Sequence, residues 1–162
     1  MSSKPLHTYL NDHLAGSVAA LELLDHLADL HQDPDRKRFF TGLYAEVEED
    51  QKMLQQLLDK VGGKESTVRK AAAWLGEKIG QAKLRLDDIG NGQLRVLEAL
   101  ETLGLGIHGK LMLWRALAAV VDRVPQLQGV DFGRLEQRAI QQHQRVEVQR
   151  LQTARVALTA ES

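Results

Sequence analysis

Apolar residues recur at steps of three and four along most of the chain, which is the spacing of one face of an α-helix. In the first such stretch they are Leu10, Leu14, Val18 and Leu21. Glycine and proline interrupt this rhythm at few places, and no segment offers a convincing strand. The pattern predicts five helices, at about residues 6–31, 35–61, 67–86, 92–122 and 131–159. Asp131 is well suited to cap the start of the last one.

The order of the connections predicts how these helices are arranged. Four of them are about 26 to 31 residues long, or roughly 40 Å each. Short turns join the first pair and the last pair, whereas residues 62–91 are long enough to travel the whole length of a bundle. Two hairpins joined by one long crossover is the arrangement of ferritin-like four-helix bundles.

The chain therefore resembles the ferritin-like superfamily over almost its whole length, with local support from "LAGSVAALELLDHL" and "YAEVEEDQKMLQQLL". The resemblance implies an all-α, up-down four-helix bundle with an extra helix in the long connection between the second and third long helices. We expect one domain spanning residues 1–162, because apolar positions extend from end to end of the chain.

The composition of the chain limits which classes of partner and which cellular compartment are expected. With 21 Lys and Arg against 22 Asp and Glu, the net charge of −1 provides no electrostatic footprint for nucleic acid or an anionic membrane. Cysteine is absent, so thiolate metal sites and cysteine nucleophiles are excluded. No signal peptide and no apolar run of about 18 residues is evident. We expect a cytoplasmic protein that binds neither membrane nor nucleic acid.

The stretch "GLGIHGKL" at residues 104–111 satisfies two phosphate-binding patterns, G-x-G-x-x-G and G-x-x-x-x-G-K. Such loops follow a strand and open a helix, and a P-loop also needs Ser or Thr after its lysine, where this chain has Leu111. An apolar stripe runs straight through these glycines, so the pattern places them inside a helix. We expect no nucleotide to bind there, since a helix interior has no free N–H groups.

Glycines inside a helix need an explanation, because each costs about 1 kcal/mol relative to alanine. Close packing against neighbours is the expected one. The helix at 92–122 is also apolar on most of its sides, which favours burial by a second subunit or by the crossover helix. We therefore expect a homodimer through this helix.

Di-iron members of the superfamily project one Glu from each of two helices and a Glu-x-x-His pair from each of the other two. No Glu or Asp of this chain is followed by His three residues later. The nearest approaches are Glu48 with Gln51, and Glu147 with Arg150. The family's metal-binding signature is therefore absent.

A helical-wheel projection predicts a polar layer near the middle of the bundle, formed by Ser17, Glu46, Asp50, Lys110 and His143. In one interpretation Lys110 supplies a built-in positive charge that pairs with the carboxylates. In a second, Glu46, Asp50, His143 and Glu147 bind an ion of iron, manganese or zinc, although the lysine would oppose it. In a third, the helices are rotated and these residues face solvent.

The sequence favours a non-catalytic binding or structural protein with a metal-free polar layer and no cofactor. Ser17 lies in mid-helix without a G-x-S-x-G motif, so it does not indicate a hydrolytic nucleophile. The first alternative is a ferritin-like metalloprotein that binds or oxidises a transition metal at an irregular site. The second is a helical adaptor for a protein partner.

Overall fold

A computed structural model describes residues 4–30, 32–62 and 92–159, together with residues 73 and 77. The described part consists of four long α-helices and one 3₁₀ turn, and it contains no strand. The helices are α1 (Lys4–Leu30), α2 (Pro34–Val61), α3 (Gln93–Ala118) and α4 (Phe132–Ala157), and the 3₁₀ turn is Pro125–Leu127. The prediction of an all-α chain is confirmed for these residues. Apart from residues 73 and 77, the helix predicted at 67–86 lies outside the described residues.

Local signals fix several helix ends. Asp33 caps α2 by accepting a hydrogen bond from the backbone N–H of Asp35, and Gly62 ends this helix in the left-handed conformation, with φ of 85°. Asp131 accepts from the backbone N–H of Arg134 at 3.0 Å and caps α4, as the sequence predicts. The third long helix ends at Ala118, earlier than the predicted residue 122.

Two hydrophobic clusters occupy the two ends of the bundle. One contains the N-terminal half of α1, the C-terminal half of α2, the C-terminal half of α3 and the N-terminal half of α4, and includes Leu10, Leu57, Trp114 and Leu135. The other contains the opposite halves of the same helices. It follows that α1 and α4 run in one direction and that α2 and α3 both run in the other.

This arrangement makes two antiparallel hairpins, α1–α2 and α3–α4. Because α2 ends where α3 ends, Gly62 and Gly92 lie at opposite ends of the bundle. Each of the four helices has 26 to 28 residues and is about 40 Å long.

Candidate functional site

A polar layer separates the two hydrophobic clusters. At this level each helix contributes at least one polar residue between its two apolar stretches, and the central ones are Ser17, Asp50, Lys110 and Gln142. Asp50 is 2% exposed and Gln142 is fully buried. Ser17, Asp50 and Lys110 are three of the residues that the sequence predicts in such a layer, and the burial of Asp50 and Gln142 keeps these two side chains away from solvent.

An ion pair crosses the centre of this layer. The Lys110 Nζ atom on α3 lies 2.6 Å from Asp50 Oδ2 on α2, and it also donates to the amide oxygen of Gln142 on α4. The Lys110 side chain is only 14% exposed. Burial lowers the pKa of Lys110, and the neighbouring Asp50 carboxylate opposes this effect. The charges predicted to meet in the middle of the bundle thus lie in direct contact.

Arg138 on α4 holds the second oxygen of Asp50. Its Nε and Nη2 atoms lie 3.0 and 2.5 Å from Asp50 Oδ1, and its Nη1 atom lies 2.7 Å from Glu49 Oε2. Burial lowers the pKa of Arg138, but the hydrogen bonds to Asp50 and Glu49 raise it by more than burial lowers it. The net shift of this pKa is therefore upward. This guanidinium is therefore a permanent positive charge in the layer.

Gln142 connects the carboxylates of Glu46 and Asp50. Its Nε2 atom lies 3.1 Å from Glu46 Oε2 and 3.3 Å from Asp50 Oδ2. Arg145 Nη2 binds the same Glu46 oxygen at 2.5 Å. Burial raises the pKa of Glu46, yet the hydrogen bonds from Arg145 and Gln142 outweigh it and leave this pKa below its ordinary value.

Asp50 is saturated by these contacts. An ionised carboxylate offers about four lone-pair positions. Two hydrogen bonds from Arg138 reach Oδ1, and one each from Lys110 and Gln142 reaches Oδ2. No position remains on Asp50 for an additional cation unless one of these side chains leaves.

The charges of the layer are divided between the two hairpins. Three carboxylates, from Glu46, Glu49 and Asp50, all lie on α2. Three cations face them from the second hairpin: Lys110 on α3, and Arg138 and Arg145 on α4. The six formal charges cancel, and every ion pair among them joins one hairpin to the other.

Two of the proposed metal ligands lie away from this layer. His143 and Glu147 line a groove between α3 and α4, together with Arg150. Arg150 binds Glu147 through two contacts of 2.7 Å, and the His143 ring centroid is 6.0 Å from that of His108. Glu46 and Asp50 are thus brought together through Gln142, whereas His143 and Glu147 belong to a different face of α4.

The predicted ligand set is therefore divided between two places. Within residues 4–30, 32–62 and 92–159, no three side chains of the His, Cys, Asp or Glu type are grouped as metal ligands. The residues that are present also fit a cation poorly, because Lys110 and Arg138 already occupy the carboxylate oxygens.

Sequence reasoning missed Glu49, Arg138, Gln142 and Arg145 as members of the layer. A signal for Gln142 does exist: Leu135, Ala139 and Val146 are buried on α4, and Gln142 fills the missing position in this three-and-four spacing. Arg138, next to Ala139, is at the edge of the same stripe. The apolar stripe of α4 therefore indicates Gln142 as the polar residue on it and Arg138 as a residue at its edge.

Ser17 occupies the α1 side of the layer. It donates to the Leu14 carbonyl oxygen at 2.6 Å and accepts from Gln51 Nε2 at 3.1 Å. With Asp50 and Lys110 it lines a cavity of about 80 Å³ among α1, α2 and α3. Ser17 thus lies at the predicted level, next to the ion pair through this cavity.

The glycine-rich stretch at 104–111 lies inside α3, as predicted. The expected close packing is found only at Gly104, where an added Cβ would lie 3.9 Å from Val146. At Gly106 and Gly109 an added Cβ would meet no atom within 4 Å. Packing between described residues therefore does not explain the absence of side chains at these two positions.

Comparisons with known proteins add no relative. No protein-family model matches the chain, and no curated protein or solved structure is significantly similar to it. None of the helices in the described ranges combines the length and the apolar character needed to cross a bilayer.

Proposed function

We propose that the chain is a non-catalytic, ferritin-like helical bundle that acts as a binding or structural protein, and that ion pairs replace a metal centre in its middle layer. The observation that carries this proposal is the saturation of Asp50 by Lys110, Arg138 and Gln142. At the level where a dimetal bundle keeps its ions, Lys110 and Arg138 supply the positive charge.

The arrangement of the helices supports the ferritin-like part of the proposal. The hairpins α1–α2 and α3–α4 are oriented so that α2 and α3 run in the same direction, which is the orientation that a ferritin-like crossover between them requires. The resemblance is one of architecture, since the Glu-x-x-His pairs of the metal-binding members are absent.

The alternative to ion pairing in this layer is that the layer binds a metal ion. Iron, manganese or zinc at Glu46 and Asp50 would have to displace Lys110 or Arg138 from the carboxylate oxygens and would lie next to their charges. Removing Lys110 should then favour the ion. In the proposed function, removing Lys110 only weakens the fold.

The test combines one variant with chelation. We expect EDTA to leave the melting temperature of the unmodified protein unchanged, and Fe²⁺, Mn²⁺ and Zn²⁺ to leave it unchanged as well. We expect Lys110→Met to lower it by about 3–10 °C with or without chelator. A melting temperature that falls with EDTA and is restored by one particular metal would contradict the proposal.

A second candidate function rests on the outer surface of the bundle. Leu105 is 75% exposed and Met112 is 57% exposed on α3, and Val148 and Leu151 are exposed on α4. Exposed apolar residues that recur along one helix are typical of an interface. We propose that α3 forms the interface of a homodimer. In the alternative form of this proposal the chain is a helical adaptor, and the same surface binds a different protein.

A further inference from the structure

The cavity among α1, α2 and α3 has a wall that is mostly apolar. Each of the three helices contributes aliphatic side chains to it. They are Ala20 on α1, Val47 and Leu54 on α2, and Ile107 and Leu113 on α3. The wall therefore resembles the hydrophobic clusters on either side of the polar layer.

The polar groups that line this cavity are already engaged elsewhere. Asp50 accepts four hydrogen bonds, and the Lys110 ammonium group donates to Asp50 and Gln142. The Ser17 hydroxyl both donates and accepts. The Trp114 Nε1 atom is inaccessible to a water-sized molecule, so the indole N–H offers the cavity no hydrogen bond. A buried water needs about two to four polar partners, and these groups provide few.

The charges around the cavity disfavour a charged ligand. The carboxylates and cations of the layer cancel, so a further charge would be unmatched in a largely buried place. His13 also lines the cavity, and burial lowers its pKa by more than the nearby Asp12 raises it. The neutral form of the His13 ring is thereby favoured.

Two glycines leave the cavity open between α1 and α3. Gly16 on α1 and Gly106 on α3 both line it, and both are exposed. An added Cβ at either position would meet no atom within 4 Å. A small molecule can therefore enter from solvent between these two positions.

The size of the cavity limits its occupant to a few heavy atoms. An apolar protein cavity of about 150 Å³ stays dry and binds benzene or xenon. The volume here is about 80 Å³, which admits only a molecule smaller than benzene. We propose that this cavity binds a small, uncharged, apolar molecule, such as a hydrocarbon of about three carbon atoms. Such a ligand needs no hydrogen bond and is held by contact with the aliphatic wall.

This inference goes beyond the proposed function and does not depend on it. A metal bound at the carboxylates would be detected by the response to EDTA. Binding in the cavity is measured by a separate titration, so the two proposals fail independently.

Cyclopropane is the probe, and formamide, a polar molecule with equally many heavy atoms, is its control. The δ1-methyl resonance of Ile107 in ¹³C-labelled protein reports on binding, and Ile107→Val identifies it among the four isoleucines. We expect a saturable shift with cyclopropane at millimolar concentration. Ile140 on α4 does not line the cavity, so its methyl resonance should stay in place. Formamide should move neither resonance.

Substitutions that fill the cavity locate the site. Ala20→Leu should weaken cyclopropane binding by about tenfold or more, because the added carbon atoms occupy part of a small volume. Ala19→Leu is the matched control, since Ala19 is the preceding residue of α1, is exposed and does not line the cavity.

A second pair of variants keeps the test decisive if Ala20→Leu loses its helical circular dichroism. Gly106→Leu should obstruct the opening and weaken binding, whereas Gly109→Leu should not. Gly109 lies on the same helix with equally open space around its Cα, but it does not line the cavity. An absent or linear response of Ile107, an equal response to formamide, or equal effects within the pair of variants that folds would overturn the proposal.

Discussion

Arg138 on α4 and Asp50 on α2 meet through two hydrogen bonds to a single carboxylate oxygen, with Oδ1 at 3.0 Å from Nε and 2.5 Å from Nη2. Lys110 binds the other oxygen of Asp50 at 2.6 Å. Each of the two cations therefore has its own oxygen. Removal of either one leaves Asp50 with a remaining charged partner.

This division predicts that Lys110 and Arg138 are energetically coupled. We expect Lys110→Met and Arg138→Met each to lower the free energy of unfolding by about 1–3 kcal/mol. The double variant should lose about 1–2 kcal/mol more than their sum, because Asp50 is then buried without a cation. Urea denaturation at neutral pH measures all three.

Lys52→Met provides the matched control for this cycle. Lys52 contacts Glu48 at 3.5 Å on the exposed surface of α2, and such pairs contribute less than about 1 kcal/mol. Simple additivity of the two layer substitutions would contradict the shared role of Lys110 and Arg138.

The lowered pKa of Glu46 predicts a loss of stability in acid. In the folded protein this pKa lies below the ordinary glutamate value of 4.5, so near and below that pH the unfolded chain binds a proton that the folded protein does not. Glu46 therefore stabilises the fold fully above pH 4.5, and the contribution disappears as the pH falls through the folded pKa. The free energies of unfolding of the natural protein and of Glu46→Gln, measured from pH 7 to pH 3, should become equal at the acid end of this range.

Glu48→Gln should show a smaller change over the same range, since Glu48 contacts an exposed lysine at 3.5 Å. The difference in the free energy of unfolding between the natural protein and Glu46→Gln could instead stay constant down to pH 3. That result would mean that the contacts to Arg145 and Gln142 do not favour the ionised form of Glu46.

The open space around Gly106 and Gly109 predicts that alanine stabilises the helix. Because an added Cβ meets no atom within 4 Å, each substitution should raise the free energy of unfolding by about 0.5–1 kcal/mol. Gly62→Ala should act in the opposite sense and cost about 1 kcal/mol, because Gly62 has φ of 85°. Thermal unfolding compares the three, and destabilisation by Gly109→Ala would indicate a close neighbour at that position.

The exposed residues of α3 predict self-association. Leu105 and Met112 are seven residues apart and lie on one side of the helix. We expect sedimentation velocity to show a dimer at high micromolar concentration, and the Leu105→Glu, Met112→Glu double variant to be monomeric. Val156→Glu on α4 is a control for charge alone, because Val156 is also exposed. A monomer at every concentration would remove α3 as an interface.

The helix bounds show where periodicity succeeds as a predictor and where it misleads. Val121 and Val124 continue the apolar pattern beyond Ala118, and both pack against the hydrophobic cluster at that end of the bundle. The helix ends at Ala118 and residues 119–123 form turns. Val124 is then extended, with φ of −124° and ψ of 93°, as Pro125 favours for the residue before it. An apolar pattern reports burial, and burial continues in the turn.

The site shows a different limit. Consecutive residues of a helix are separated by a rotation of about 100°. Placing the buried stripe of α4 one residue away from its true position therefore selects His143 in place of Gln142. The pattern predicts Lys110 and Asp50 as neighbours, because Asp50 lies on the apolar stripe of α2 and Lys110 lies at the edge of that of α3. It does not predict Arg138 and Arg145, because their long side chains reach α2 from outside the stripe, and that reach depends on where the neighbouring helix lies.

The division of charge between the hairpins has a consequence for how the chain folds. Each hairpin is local in sequence and forms its contacts early, whereas the two hairpins must then find each other. The acidic face of α2 repels the same face of another molecule and attracts the basic face formed by Lys110, Arg138 and Arg145. Added salt should therefore slow the docking step more than the formation of either hairpin. We therefore expect the layer to favour the correct pairing of the two hairpins during assembly, in addition to its contribution to the stability of the folded bundle.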